Sequence, residues 1–340
     1  MFDLSLSLDL PLIWGVLIAT AVFLYVLLDG FDLGIGILFP FAPSDKCRDR
    51  MMNSIAPFWD GNETWLILGG GGLFAAFPLA YAILMPAFYM PIIIMLLGLI
   101  MRGVAFEFRF KAEKNSRRLW DYAFHFGSLI AAFCQGVILG AFVQGVEVDG
   151  RNFSGGPFDW ATGFSMMTGM AVVFGYALLG ATWLVMKTED ITQAWARQVA
   201  GYVQGFVGIF MALVSISMPL MNARVKTLWF STPNFYYLLV IPLLTVGLFA
   251  LLWLDLHRAK REYRPFFLSI GVFLMGYLGL GISIYPWLIP FRYTLWDAAA
   301  SGPGLSLLLV GVLPLLPLIL GYTGYCYYVF RGKTDHEHMY

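Results

Sequence analysis

A helix that crosses a bilayer needs about 20 consecutive apolar residues, and this chain repeats such a run along almost its entire length. Leu10–Leu28 contains no charge, and the pattern continues to about Phe39. Acidic residues precede it (Asp3, Asp9), where a cleaved signal peptide would carry basic ones. We read it as a retained transmembrane helix. The runs predict nine helices near 9–39, 51–75, 79–101, 120–146, 160–186, 199–222, 234–254, 266–289 and 304–330, forming one integral-membrane domain over 1–340. With 59% hydrophobic and 12% charged residues, the chain departs from soluble domains, which run about 45–50% apolar and about 25% charged. An all-α polytopic membrane protein is the class that remains.

Charge in the loops gives the orientation. With the N-terminus outside, the inner segments (46–50, 102–118, 187–197, 258–264 and 331–333) hold 17 of the 21 basic residues, and the outer segments hold Arg151, Arg224, Lys226 and Arg292. That split follows the positive-inside rule and predicts a cytoplasmic C-terminus. It depends on keeping the second span, the weakest because Asp60 and Glu63 lie within it. Lys+Arg and Asp+Glu balance at 21 each, so no basic surface points to nucleic acid. Pro78, Pro86 and Pro91 predict a kinked third helix. Gly30, Gly34, Gly36 and the run Gly69–Gly72 predict close helix contacts.

Four acids fall inside apolar runs: Asp29 and Asp32 in the first helix, Asp60 and Glu63 in the second. Ionised and unpaired, they would cost roughly 10 kcal/mol together on insertion scales. Each pair is spaced i, i+3 and so shares a helix face. At about 1.5 Å per residue, Asp29 and Asp60 are predicted to meet at one depth, with Asp32 nearer the cytoplasm and Glu63 deeper. No Lys or Arg in these two helices shares that depth. The acids are then protonated, solvated in a polar channel, or paired with groups from elsewhere. A proton path and a purely structural network are both open readings. Arg102, Glu107 and Arg109 form a second candidate cluster at the inner face, with interfacial snorkelling as the plain alternative. Asp121 is read as a helix-dipole acid at the start of the fourth helix.

Redox ligands are scarce. A haem or metal site within a bundle needs inward-facing His, Met or Glu. Of the four histidines, His336 and His338 lie in the C-terminal tail, His257 sits among basic residues, and only His125 falls within a span. Cys47, Cys134 and Cys326 are far apart and form no metal or disulfide motif. The expectation is that this chain holds no haem or metal ligand.

Several segments carry a resemblance. LLDGFDLGIGIL (Leu27 to Leu38) and NSIAPFWDGNETWLILGGGGLFAAFP (Asn53 to Pro78) are similar to signature segments of subunit II of cytochrome bd-type quinol oxidases. So are RGVAFEFR (Arg102 to Arg109), TLWDAAAS (Thr294 to Ser301) and YVFRGK (Tyr328 to Lys333). Glu63 resembles a branch with Glu where other members have Gln, which includes enzymes called cyanide-insensitive oxidases. The resemblance implies two four-helix bundles plus one peripheral helix, paired with a homologous subunit I. Subunit I would carry two b-type haems and one d-type haem, or three b-type haems, together with the quinol-oxidising loop. Small single-helix accessory subunits and membrane lipids are further candidate partners. The complex implied is a terminal oxidase of the bacterial cytoplasmic membrane that oxidises quinol and reduces dioxygen to water with cytoplasmic protons. Asp29, Asp32, Trp59 and Asp60 stand on matching motif positions. Trp59 is a candidate wall of a quinone or lipid pocket, or a packing residue. Two other readings stay open from the residues alone: a proton- or cation-coupled secondary transporter, and a scaffold whose acids are structural.

Overall fold

The computed structural model describes residues 8–334; the expectations placed on His336, His338 and the rest of the C-terminal tail lie outside them. Its helices are α1 (Leu10–Leu38), α2 (Asp45–Asn53), α3 (Trp59–Ala76), α4 (Pro78–Ala87), α5 (Tyr89–Lys111), α6 (Lys114–Gln144), α7 (Gly163–Lys187), α8 (Asp190–Met221), α9 (Ala223–Phe230), α10 (Asn234–Leu238), α11 (Val240–Arg258), α12 (Arg264–Ile284), α13 (Leu295–Ala298) and α14 (Gly302–Val329). Two small antiparallel hairpins, β1 (Val148–Asp149) with β2 (Asn152–Phe153) and β3 (Trp287–Ile289) with β4 (Tyr293–Thr294), close two of the loops.

Eight helical stretches are long and apolar enough to cross a membrane among the described residues: those built on α1, α5, α6, α7, α8, α11, α12 and α14. The expected second span, 51–75, differs. Residues 51–53 end α2, and α3 starts only at Trp59. Pro57 has no backbone N–H to donate, and Phe58 leaves the helical region (φ −123°, ψ −31°), so the helix restarts at Trp59. Polar residues at its start (Asp60, Asn62, Glu63) keep α3 below the hydropathy of the other spans.

Proline also divides the expected 79–101 helix. Phe77, before Pro78, leaves the helical region (φ −134°, ψ 64°) and ends α3. The Pro91 ring would collide with the Ala87 carbonyl four residues earlier, so α4 stops at Ala87 and the chain bends at Phe88 (φ −115°, ψ 16°). The kink is thus a full break. Likewise the expected 266–289 helix ends at Ile284, before Pro286, and β3 follows. α6 begins at Lys114, which places Asp121 two turns inside the helix.

α1 is the axis of the fold. It packs on α3, α6 and α7; α5 packs on α6, α6 on α7, and α7 on α8. α11 and α12 pair and lean on α8 and α7, while α14 touches only α1 and α3 closely. Glycine lets α1 and α7 meet backbone to backbone. A Cβ on Gly34 would stand 1.8 Å from the Tyr176 carbonyl oxygen, and one on Gly180 would stand 2.6 Å from the Gly34 carbonyl carbon. The Gly69–Gly72 expectation holds in part. Gly69 and Gly72 face Val22 and Ile18 of α1, whereas Gly70 and Gly71 meet nothing within 4 Å.

Candidate functional site

The face of α3 that meets α1 is Asn62, Trp65, Gly69 and Ala76, all buried. Residues two apart on a helix do not share a face, so Asp60 points away from α1 and is exposed, whereas Asn62 points at it. This overturns the expected meeting of Asp29 with Asp60. No hydrogen bond or ion pair engages Asp60 among the described residues.

Asp29 and Asp32 are fully buried, at 0% exposure. Arg102, one of the candidate inner-face residues, is 2% exposed and turns into the bundle from α5. Its Nη1 donates to Asp29 Oδ1 at 2.6 Å, and its Nη2 donates to Glu63 Oε1. One guanidinium therefore bridges α1 and α3. Glu63, whose side chain is 27% exposed, is the residue that shares Asp29's depth. The late start of α3 is the reason: without residues 51–58 in the helix, Asp60 falls in its first turn and Glu63 one turn further in.

Asp32 has a neutral partner. Asn62 Nδ2 donates to Asp32 Oδ2 at 2.7 Å and to the Leu28 carbonyl at 3.2 Å. The Tyr327 hydroxyl donates to Asn62 Oδ1 at 2.9 Å, which ties α14 to the same point. On the other side of Asp29, Gln135 Nε2 of α6 donates to the Tyr25 hydroxyl, and Tyr176 of α7 donates to Gln135 Oε1, both at 2.7 Å. Tyr25, Asn62, Gln135, Tyr176 and Tyr327 were not singled out from sequence. The available signal was Gln135, a lone amide in the apolar run IAAFCQGVILGAF.

Arg102, Glu107 and Arg109 do not form one cluster. Glu107 is exposed on the outer flank of α5. Arg109 is buried and donates to Asp49 at 2.8 Å and to Asp121. Arg117 joins Asp49 at 2.6 Å, and Arg48 lies 3.6 Å from Asp121. Asp121 is thus an ion-pair partner and not a helix-terminal acid, because α6 starts seven residues before it. The network knits α2, α5 and α6 at one end of the bundle. At its rim, the hydrogen bond from Arg48 holds the Asp45 carboxyl below the usual carboxylate range.

Trp59 is half-buried, stacked obliquely on Phe106 (5.0 Å between ring centroids) beside Gly103. His125 Nδ1 is engaged 3.1 Å from the Gly36 carbonyl with its ring edge-on to Phe41 and Phe126, and His257 bonds to the Trp253 carbonyl. No group of three or more His, Cys, Asp or Glu placed to hold a metal ion occurs among the described residues.

These features define a multi-pass helical membrane protein with an ionic cluster walled in by six helices. Residues 10–330 match the family described as cytochrome bd terminal oxidase subunit II. A similar protein, cytochrome bd ubiquinol oxidase subunit 2 of Bacillus subtilis, is 29% identical over 338 residues, covering 96% of this chain and 97% of that one. Cytochrome bd-I ubiquinol oxidase subunit 2 of Escherichia coli K12 is 30% identical over 364 residues, with 96% of each chain covered. A chain in the structure of bd oxidase from Geobacillus thermodenitrificans superposes with a TM-score of 0.73 at 16% identity, covering 95% of this chain and 99% of that one, which supports the fold. The chain belongs to the cytochrome bd terminal oxidase subunit II family.

Proposed function

We propose that this chain works as subunit II of a bd-type quinol oxidase, the obligate partner of a haem-bearing subunit I, and that its acids form part of a cytoplasmic proton path. The near full-length family match carries the first half of this reading. α3 supplies the ninth crossing. The spans fall into a bundle of α1, α3, α5 and α6 and a bundle of α7, α8, α11 and α12, with α14 peripheral. The protein sits in the bacterial cytoplasmic membrane with the N-terminus outside and the network of Arg48, Arg109 and Arg117 inside, as the loop charges favour.

The haems, two b-type and one d-type or three b-type, belong to subunit I and supply quinol oxidation and dioxygen reduction there. This chain's residues position protons and bind the partner. Asp60, Thr64, Ile67, Gly70 and Phe74 are exposed at helical spacing on one flank of α3, and polar groups exposed at membrane depth need a protein or water neighbour. That flank is the natural seat of subunit I. Asp60 lies at the inner mouth of the flank, and Glu63 stands one turn deeper, partly open and held by Arg102. Carboxyls in this order can take a proton from the cytoplasmic side and pass it towards subunit I. Asp29 and Asp32, fully enclosed, set the charge around Arg102. Trp59 offers an aromatic surface beside Asp60 for a quinone or lipid tail.

Asp60→Asn keeps the shape and removes the titrating group. In an assembled complex with full haem content, time-resolved proton uptake should slow by about 10²-fold if Asp60 is the sole entry, with haem reduction by quinol preserved. Uptake at the wild-type rate would remove Asp60 from the path.

A further inference from the structure

Three carboxyls, Asp29, Asp32 and Glu63, surround one buried guanidinium. A single positive charge balances one carboxylate, and an uncompensated charge at this depth is expensive. The question is which carboxyl is the permanent anion and which exchanges its proton. The hydrogen-bond directions answer it.

Gln135 has both ends committed. Its Oε1 receives the Tyr176 proton, and its Nε2 donates to the Tyr25 oxygen. The Tyr25 oxygen is therefore an acceptor towards α6, and its own proton must point elsewhere. Tyr25 is 4% exposed, so that proton cannot go to water, and a buried donor left unmade costs about 1–3 kcal/mol. Asp29 stands four residues on, one turn along the same face of α1. The Asp29 Oδ2 is buried and has no hydrogen-bond partner among the described residues. An unplaced donor and an unplaced acceptor thus face each other across one helical turn. Donors run from Tyr176 of α7 through Gln135 of α6 to Tyr25 of α1, and from the other side Arg102 of α5 donates to both Asp29 of α1 and Glu63 of α3.

We infer that Tyr25 is a positioning residue: it fixes Asp29 as the permanent anion of Arg102 and so leaves Glu63 as the carboxyl of this cluster that gains and loses a proton. Asp29 receives a charged donor on Oδ1, and its buried, unpartnered Oδ2 is the acceptor this assignment gives to the Tyr25 hydroxyl. Glu63 receives Arg102 alone and is the one carboxyl of the three with an open side. Asp32 is sealed and faces the neutral Asn62. The remaining ionisable groups facing the cluster are Tyr176 on α7 and Tyr327 on α14; Asp60, one turn from Glu63 on α3, is exposed, and α6 contributes the neutral Gln135.

The inference rests on the proton-path reading, but its test reads protonation directly. Infrared difference spectra across pH steps, taken on the assembled, haem-replete oxidase, report the carbonyl stretch of carboxyls that change protonation. Glu63→Gln should delete a band present in the wild type. Adding Tyr25→Phe to Glu63→Gln should bring back a carboxyl band at a shifted frequency, because Asp29 has lost its second donor and now exchanges. Tyr176→Phe in place of Tyr25→Phe, one bond further out, should restore a weaker band. A double variant as silent as Glu63→Gln alone would overturn the role of Tyr25. A full wild-type band in Glu63→Gln would overturn the role of Glu63. If the bands behave as expected while Glu63→Gln takes up protons at the wild-type rate, the assignment of Tyr25 stands and the path through this cluster fails.

Discussion

The two halves of the chain solve the membrane problem differently. In the first, residues 29–39 at the end of α1 are buried throughout, and 78% of the residues in the most apolar stretch of α7 are buried. In the second, the figure falls to 6% for both the 234–258 span around α11 and for α14. The fully buried carboxyls, Asp29 and Asp32, sit on the enclosed side, next to helices that bring their own polar partners, whereas Asp255 at the end of α11 pairs with Arg264. The exposed side is almost purely apolar, with Leu243, Leu244 and Val246 on α11 and Leu313, Leu315 and Leu318 on α14 facing outward. A bilayer solvates apolar side chains and not charges, so charge can be kept only where the fold supplies its own solvent. The enclosed half does this with one arginine, two tyrosines and two amides.

That contrast is broken most directly at Arg102. Arg102→Leu leaves Asp29 and Glu63 facing each other without a cation, and breaking a buried pair typically costs about 3–5 kcal/mol. The expected result is a large loss of assembled complex from membranes and a lower unfolding temperature in detergent. Leu243→Ala, on the open face of α11, should change stability by about 0.5 kcal/mol or less. A loss there as large as at Arg102 would show that α11 is covered by protein and not by lipid.

A smaller effect separates the halves at glycine. Gly34→Ala would drive a methyl into the Tyr176 carbonyl and force α1 from α7, for which overpacking costs about 1–3 kcal/mol. Gly311 of α14 has nothing within 4 Å of a new Cβ. Gly311→Ala should be neutral or stabilise by up to about 1 kcal/mol through helix propensity. Thermal unfolding of the purified complex measures both. Equal losses at the two positions would mean that α14 is packed as tightly in the complex as α1.

Much of this was readable from the residues. The apolar runs located the helices because length and hydropathy are what a bilayer selects, and the motif segments led to the family, which closed the transporter reading. The depth of the acids was misread, since it assumed one continuous helix from residue 51 and gave no weight to Pro57. That error paired Asp60 with Asp29, when the register of α3 joins Asn62 to α1 directly and Glu63 to Asp29 through Arg102. Arg102 was seen as part of an inner-face cluster with Glu107 and Arg109, with snorkelling as the alternative, because a long side chain near a helix end commonly reaches outward. Here three acids on other helices draw it inward, and contacts between distant segments leave no local signature. The Tyr25, Gln135 and Tyr176 chain is of the same kind: each residue is unremarkable in its own helix, and the network exists only where three helices meet.

The smallest expected effect lies where the two halves join at the end of α14. Lys187 of α7 donates to the Phe330 and Gly332 carbonyls, the latter at 2.6 Å, and Thr334 donates to the Lys187 carbonyl at 2.9 Å. Lys333 completes the dock with Glu262, in the loop between α11 and α12, at 2.6 Å. The hydrogen bond from Lys333 holds the Glu262 carboxyl below the usual glutamate range. For an acid held low in the folded state, the contribution is present above its unfolded value and is lost as pH falls through the folded one. The tail contact should therefore be complete at neutral pH and loosen only under acid conditions below the ordinary glutamate range. The pair is substantially exposed, so salt should weaken it and its share of global stability should be small. Hydrogen exchange over 330–334 is the sensitive measurement. Exchange there should quicken at low pH in the wild type and be quick at every pH in Glu262→Gln, with α1 and α7 unchanged in both. Exchange that quickened equally in α1 would mean that the tail dock and the enclosed half unfold as one unit, and the division between the halves would fail at this joint.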